Sequence, residues 1–201
     1  MRSLRIALPW CAAQGAADAG GWPLGAVVNQ LDAPMELAPA SRSDAPLIRS
    51  LLDDYLRELS GNRELPVGAT DAASYGHLDA YWCEPGRHAF LIRCRDRCVG
   101  FALIRDPTST RSSVHQLAEF YVQPEIRRRG IGRDAVLEIW ESFPGEWELQ
   151  VHARNAGAVR FWRSCVERKT GEPPRVCEVQ AEDGRRLQLN FQVEARRPAR
   201  R

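Results

Sequence analysis

Val122-Gln123-Pro124-Glu125-Ile126-Arg127-Arg128-Arg129-Gly130-Ile131-Gly132-Arg133 joins an apolar, strand-like run (Leu117 to Val122) to an amphipathic, helix-like run (Gly132 to Phe143). A helix N-terminus leaves backbone N–H groups unpaired and carries partial positive charge, so it favours an anion. Gly130 and Gly132 let the backbone turn sharply and approach a ligand, because no Cβ intervenes. Arg127, Arg128 and Arg129 add charge-assisted donors at the same place. The junction therefore reads as a pyrophosphate cradle between a strand and a helix. It is not a P-loop, since no Lys-Ser or Lys-Thr follows a glycine here, and Lys169-Thr170 lies elsewhere. Nor is it a dinucleotide fingerprint, which needs GxGxxG, whereas only Gly130-Ile131-Gly132 is present.

The flanks carry the reading further. Phe143-Pro144-Gly145 stops the helix and turns the chain. Glu146 to His152 then alternates like a half-buried strand, with Trp147, Leu149 and Val151 on one face. Asn155 can cap a following helix, whose Ala158, Phe161, Trp162 and Cys165 form an apolar stripe at spacings of three and four.

Arg127-x-x-Gly130-x-Gly132 resembles the acetyl-CoA loop [RQ]-x-x-G-x-[GA] of the Gcn5-related N-acetyltransferases (GNAT family). Asn155, Ala158, Phe161 and Trp162 match that family's second block, N-x-x-A-x-x-[FL]-[YW], in the right order and one strand later. The resemblance runs from residue 35 to about 193. It extends to a bacterial subgroup with a Phe-Pro-Gly-x-Trp turn, here Phe143 to Trp147. It implies an α/β fold: a mixed, mostly antiparallel six- to seven-stranded sheet with helices on both faces.

The remaining elements fit one domain over residues 35–195. Met35 to Pro39 reads as a first strand, and Ser41 to Asp44 as caps for a helix through Leu59 with Leu47, Ile48, Leu51, Leu52, Tyr55 and Leu56 inward. A shorter helix is expected near Ala72 to Tyr81. Ala89 to Cys94 and Cys98 to Ile104 read as a hairpin, and Arg175 to Val179 with Leu187 to Val193 as a second one around Asp183-Gly184. Residues 1–34 lack periodicity and read as a disordered extension ahead of Met35. Arg2 and Arg5 before Ile6 to Leu8 only faintly resemble a signal peptide, because Pro9 breaks a short apolar run. Residues 196–201 form a basic tail of four arginines, without which the body is slightly acidic. The mild excess of basic residues is thus no argument for nucleic acid. No run approaches the roughly 20 apolar residues of a membrane span. Six cysteines show neither CxxC pairs nor zinc spacing, so no metal is expected and reduced thiols in the cytoplasm are. Cys94 and Cys98 flank a turn and could approach one another.

What the resemblance implies chemically is transfer of an acetyl group from acetyl-CoA to a primary amine of a small molecule or protein. Backbone N–H groups from Arg128, Arg129, Gly130, Ile131, Gly132 and Arg133 would anchor the cofactor, with Arg127 beside them. The backbone of Tyr121 and Val122 would pair with the pantetheine arm where the fourth and fifth strands splay. Asn155 would reach the pantetheine amide or simply cap its helix. Alternation along the fourth strand puts Leu117, Glu119 and Tyr121 on one face. Glu119, a carboxylate within an apolar strand, is the candidate general base, since burial would raise its pKa; His115 and His152 are second choices. Trp162 stands where many members carry a Tyr as general acid, and an indole N–H has no accessible acidic proton. Tyr121, Ser164 and water are the candidate substitute acids, and departure of an unprotonated thiolate is the alternative. Tyr55, Glu58, Tyr75, His77, Asp79, Tyr81 and Trp82 lie where the family binds its acceptor. The expected partners are acetyl-CoA and an amine, with a homodimer left open. The alternative is a non-catalytic acyl-CoA-binding or sensing module.

Overall fold

The computed structural model describes residues 34–61, 73, 75–109, 113–181 and 184–195. The expected terminal extension and tail, the first part of the helix near Ala72 and the turn residue Asp183 lie outside these residues. Along the chain come β1 (Met35–Pro39), α1 (Ala45–Gly61), β2 (Arg87–Cys94), β3 (Arg97–Arg105), β4 (His115–Val122), α2 (Ile131–Ser142), β5 (Gly145–His152), α3 (Ala156–Thr170), β6 (Arg175–Ala181) and β7 (Gly184–Val193). The strands make one sheet in the order β1-β2-β3-β4-β5-β7-β6. Among the described residues only the β4–β5 pair is parallel. Parallel neighbours need a crossover, and α2 supplies it. This is the mixed, mostly antiparallel α/β sheet that the resemblance implied.

Ser41 and Asp44 form a capping box ahead of α1, the Ser41 backbone N–H donating to Asp44 Oδ2 at 2.8 Å. Ile48, Leu51, Leu52 and Leu56 of α1 then bury against Leu91, Phe101, Leu103 and Tyr121 on one sheet face. Each such side chain contributes about 1.5–3 kcal/mol by leaving water. Leu47, expected inward, is 38% exposed because it falls off the stripe. The second short helix is a 3-10 turn, Leu78–Trp82, tied to the β1 end by Trp82 Nε1 donating to Ala40 O at 3.1 Å. The opposite face carries α2 and α3, where Trp140 meets Phe191 edge-on at 4.8 Å and Trp147 stacks nearby. Cys94 is buried below α2, whereas Cys98 packs beneath α1; they sit on opposite faces, and both are free thiols.

The Phe143-Pro144-Gly145 turn has a physical account. Trp147 Nε1 donates to Phe143 O at 2.8 Å, and Gly145 takes φ +138° directly over the His115 ring. His115 stacks on Trp147 at 5.1 Å, its Nδ1 buried without a partner among the described residues. Burial lowers the His115 pKa below its usual value near 6.5, opposed by a hydrogen bond to the Pro144 carbonyl. The unfolded chain therefore takes up this proton first as pH falls, so stability is full above about 6.5 and declines below it. His115→Phe should flatten that acid limb in melting curves between pH 7 and 5. An unchanged slope would refute the assignment.

Candidate active site

Regular pairing between β4 and β5 covers only His115, Gln116 and Leu117 against Trp147, Glu148 and Leu149. Beyond Leu117 the two strands separate, while β4 keeps its ladder with β3 up to Gly100 opposite Val122. A bulge starts the divergence. Leu103 pairs with Glu119 and Ile104 with Leu117, so Ala118 is the extra residue. The bulge also overturns simple alternation. Leu117 points into the α2–α3 core, whereas Ala118 and Tyr121 pack under α1. Glu119, two residues before Tyr121 in regular strand, shares the α1 face with it.

At the far end of the gap lies the arginine-glycine loop. Arg128 (φ +64°) and Gly130 (φ +88°) both adopt left-handed backbone, and Gly130 is the N-cap of α2 without any side-chain cap. The first N–H groups of α2 are thereby left to an outside acceptor. Gly132 does not share this conformation, and a Cβ there would make ordinary contacts of 3.6 Å with Phe120, Phe161 and Val122. The sharp turn thus belongs to Gly130 alone of the two. Arg128 and Arg129 are exposed, and Arg133 pairs with the neighbouring Asp134 at 2.9 Å. Arg127 points back into the fold. Its Nε donates to Val122 O and its two terminal nitrogens to both Glu58 oxygens, all at 2.6 Å, with the guanidinium 5.5 Å over the Tyr121 ring. Glu58 is thus a clamp between α1 and the loop.

Glu119 sits in the widening gap. The residue as a whole is half-buried, but its carboxyl group is enclosed, and the hydroxyls of Tyr55 and Tyr75 donate to it. Burial pushes its pKa up to about 7, although both phenols and the nearby Arg186 and Arg105 pull the other way. Tyr55 and Tyr75 are held as neutral phenols by burial and by the adjacent carboxylate. Tyr81 lies within electrostatic reach of the same carboxylate. Tyr121 is buried against Tyr55 and Phe101, which raises its pKa. Of the other residues expected on the acceptor side, Asp79 pairs with Arg49 at 3.4 Å, Trp82 holds Ala40, and His77 is exposed. Sequence reasoning missed Arg105 and Arg186. Neither lies in a motif, and only strand register brings them to Glu119.

Asn155 caps α3, its Oδ1 accepting the Ala158 N–H at 3.0 Å. Trp162 is buried and edge-on to Phe120 at 5.3 Å, on the α2–α3 side of the gap. His115 lies at the opposite end of β4 from the gap. His152, at the end of β5, accepts the Arg154 N–H through Nδ1 at 3.3 Å. Among the described residues no group of three or more metal-ligating side chains converges, and no helix is long and apolar enough to cross a membrane.

A parallel pair that opens at a bulge leaves an unpaired strand edge, and a glycine-capped helix start lies beyond it. A family model described as the acetyltransferase (GNAT) family matches residues 48–165, and the chain belongs to that family. The fold is similar to an acetyltransferase from Thermus thermophilus (TM-score 0.57, 18% identity, 79% of this chain and 97% of that one). It is also similar to a spermidine N-acetyltransferase from Vibrio cholerae in complex with CoA and spermine (0.53, 14%, 79% and 95%). A third similar structure is the ribosomal-protein-S18-alanine N-acetyltransferase of Escherichia coli (0.53, 13%, 84% and 99%). No curated protein matches the sequence significantly.

Proposed function

We propose that this protein transfers an acetyl group from acetyl-CoA to a primary amine by direct attack within a ternary complex. The observation that carries the reading is the arrangement along β4. Glu119 lies where β4 leaves β5, and the Gly130-capped start of α2 lies at the end of the same gap. Acetyl-CoA would supply the acetyl group as a thioester. The N–H groups of Arg128, Arg129, Gly130, Ile131, Gly132 and Arg133 would hold its pyrophosphate, with the exposed Arg128 and Arg129 adding charge. Arg127 would act by fixing the loop through Glu58 and Val122 rather than by touching phosphate. The unpaired edge of β4 at Tyr121 and Val122 would align the pantetheine arm, with Asn155 and Trp162 on its other side. A backbone N–H of this edge would polarise the thioester carbonyl. Glu119 would take the ammonium proton, and its pKa near 7 suits that duty. Tyr121, a neutral phenol, is the candidate proton donor to the leaving thiolate.

One observation favours a second reading, a non-catalytic acyl-CoA-binding module: Trp162, in the position of the usual tyrosine acid, is packed into the core. Two measurements separate the readings. Coenzyme A titration by calorimetry should show at least a tenfold loss of affinity in Gly130→Val and Arg128→Glu, because the first strains the φ +88° cap and the second reverses a loop charge. Unchanged affinity would sink the cradle. Thiol release from acetyl-CoA should be detected with a panel of amines; tight binding without turnover on any of them would favour the sensing module.

A further inference from the structure

The acceptor side of the gap holds a guanidinium with an unsatisfied donor. Arg105 ends β3 two positions beyond Leu103, the residue opposite Glu119, so both side chains rise from the α1 face. Diagonal neighbours of this kind lie about 7–8 Å apart, within common reach of one small molecule. Arg105 is half-buried, and its Nε is fully enclosed with no hydrogen-bond partner among the described residues. A guanidinium held partly out of water without a carboxylate partner among the described residues is costly, and an anion meeting its remaining nitrogens offsets that cost.

The neighbours sharpen the contrast. Arg87, directly opposite on β2, has its partner in Glu84 at 2.6 Å and lies over the Tyr81 ring. Glu148, a second carboxylate on this sheet face, is already engaged, its oxygens accepting from Gln116 at 2.6 Å and Gln188 at 3.2 Å. Cationic side chains also stand at the β5–β7 end, where Arg186, opposite His152, reaches Glu119 electrostatically. A cavity of about 270 Å³ is lined by His152, Ala153, Arg154, Gly184 and Arg185, next to Arg186. A linear polyamine would meet arginines on both sides here.

We infer that the acceptor is an amine carrying a carboxylate close by, as in an α-amino acid, with Arg105 binding the carboxylate while Glu119 faces the amine. This rests on the acetyltransferase reading above and adds the substrate class to it. Arg105 is a specificity residue, not a catalytic one.

The test compares each of several amino acids with its amide, and with spermidine, in thiol release from acetyl-CoA. The carboxylate form should be preferred at least tenfold in kcat/KM, and spermidine should be poor. Arg105→Gln should raise KM for the acid at least tenfold, leave the amide unchanged and keep the kcat of both. Arg105→Lys should recover part of the loss, which a merely structural role would not do. Wild-type preference for the amide or for spermidine overturns the proposal while leaving the acetyltransferase reading intact. A second readout needs no turnover: N-acetyl amino acids should raise the melting temperature of the wild type but not of Arg105→Gln. Equal shifts in both proteins overturn it. Absence of both turnover and coenzyme A binding counts against the acetyltransferase reading, and the melting shifts still decide the anion site.

Discussion

Glu119→Gln should lower kcat/KM for amine acetylation about 10²–10⁴-fold at pH 8 while leaving coenzyme A affinity unchanged, the range expected for losing a positioned general base. The wild-type kcat/KM should rise with pH through about 7, where the enclosed carboxyl gives up its proton, and the variant should lack that limb. Loss of activity with the limb intact would show that another group titrates. The same substitution carries a stability signature of opposite sense. In the folded protein the carboxyl holds its proton to about 7, whereas in the unfolded chain it ionises near 4.5. Below about 4.5 both states are protonated and nothing is lost. As pH rises from there to 7 the unfolded state sheds its proton first, so folding is progressively penalised. At pH 8 that penalty is on the order of 3 kcal/mol. Glutamine can still accept from Tyr55 and Tyr75 but cannot ionise. Glu119→Gln should therefore melt several degrees higher than wild type at pH 8 and match it at pH 4.5. A carboxylate that costs stability where it stands, beside an open strand edge, is what a functional group looks like.

Part of the geometry around the candidate site was legible in the sequence, for identifiable reasons. The β4–α2 junction is local: a strand, a positive-φ glycine and a helix start lie within a dozen consecutive residues, so spacing alone fixes their relation. Asn155 as a cap is equally local. The interior of β4 was not legible to the same depth. Glu119 was visible as a carboxylate in an apolar run, but alternation put Leu117 on its face, because a bulge leaves no mark in the residues that form it. The long-range partners were the least legible. Arg127 was read as a phosphate donor, and Glu58, a whole domain segment earlier, has claimed its guanidinium. Arg105 and Arg186 reach Glu119 only through the registers of β3, β4 and β7. Such contacts are set by which strands pair and with what offset, and one sequence carries that information only weakly.

Gly100 illustrates the same point with the larger structural consequence. Gly132 stands in the motif, yet it accommodates a Cβ with contacts no closer than 3.6 Å. Gly100 stands in no motif, and a Cβ there would clash with Tyr121 O and lie 3.1 Å from Val122 Cα. Both obstacles are backbone, so no rotamer change relieves them. Gly100→Ala must push β3 away from β4 at the Gly100–Val122 pair, the last rung before the loop. We expect a loss of about 2–4 kcal/mol in urea unfolding, at or beyond the upper end of ordinary overpacking, because the strands must separate rather than repack. The displacement would carry Val122 O with it, and with that the Arg127 and Glu58 clamp that steadies the cradle. Coenzyme A affinity should therefore fall at least tenfold in whatever fraction remains folded. Gly132→Ala serves as the control. It replaces a helical glycine without a steric conflict, so its stability should stay level or rise by up to about 1 kcal/mol, with coenzyme A still bound. If Gly100→Ala unfolds at the wild-type urea concentration, β3 and β4 are not as closely apposed as this account requires, and the placement of the gap beside them fails with it.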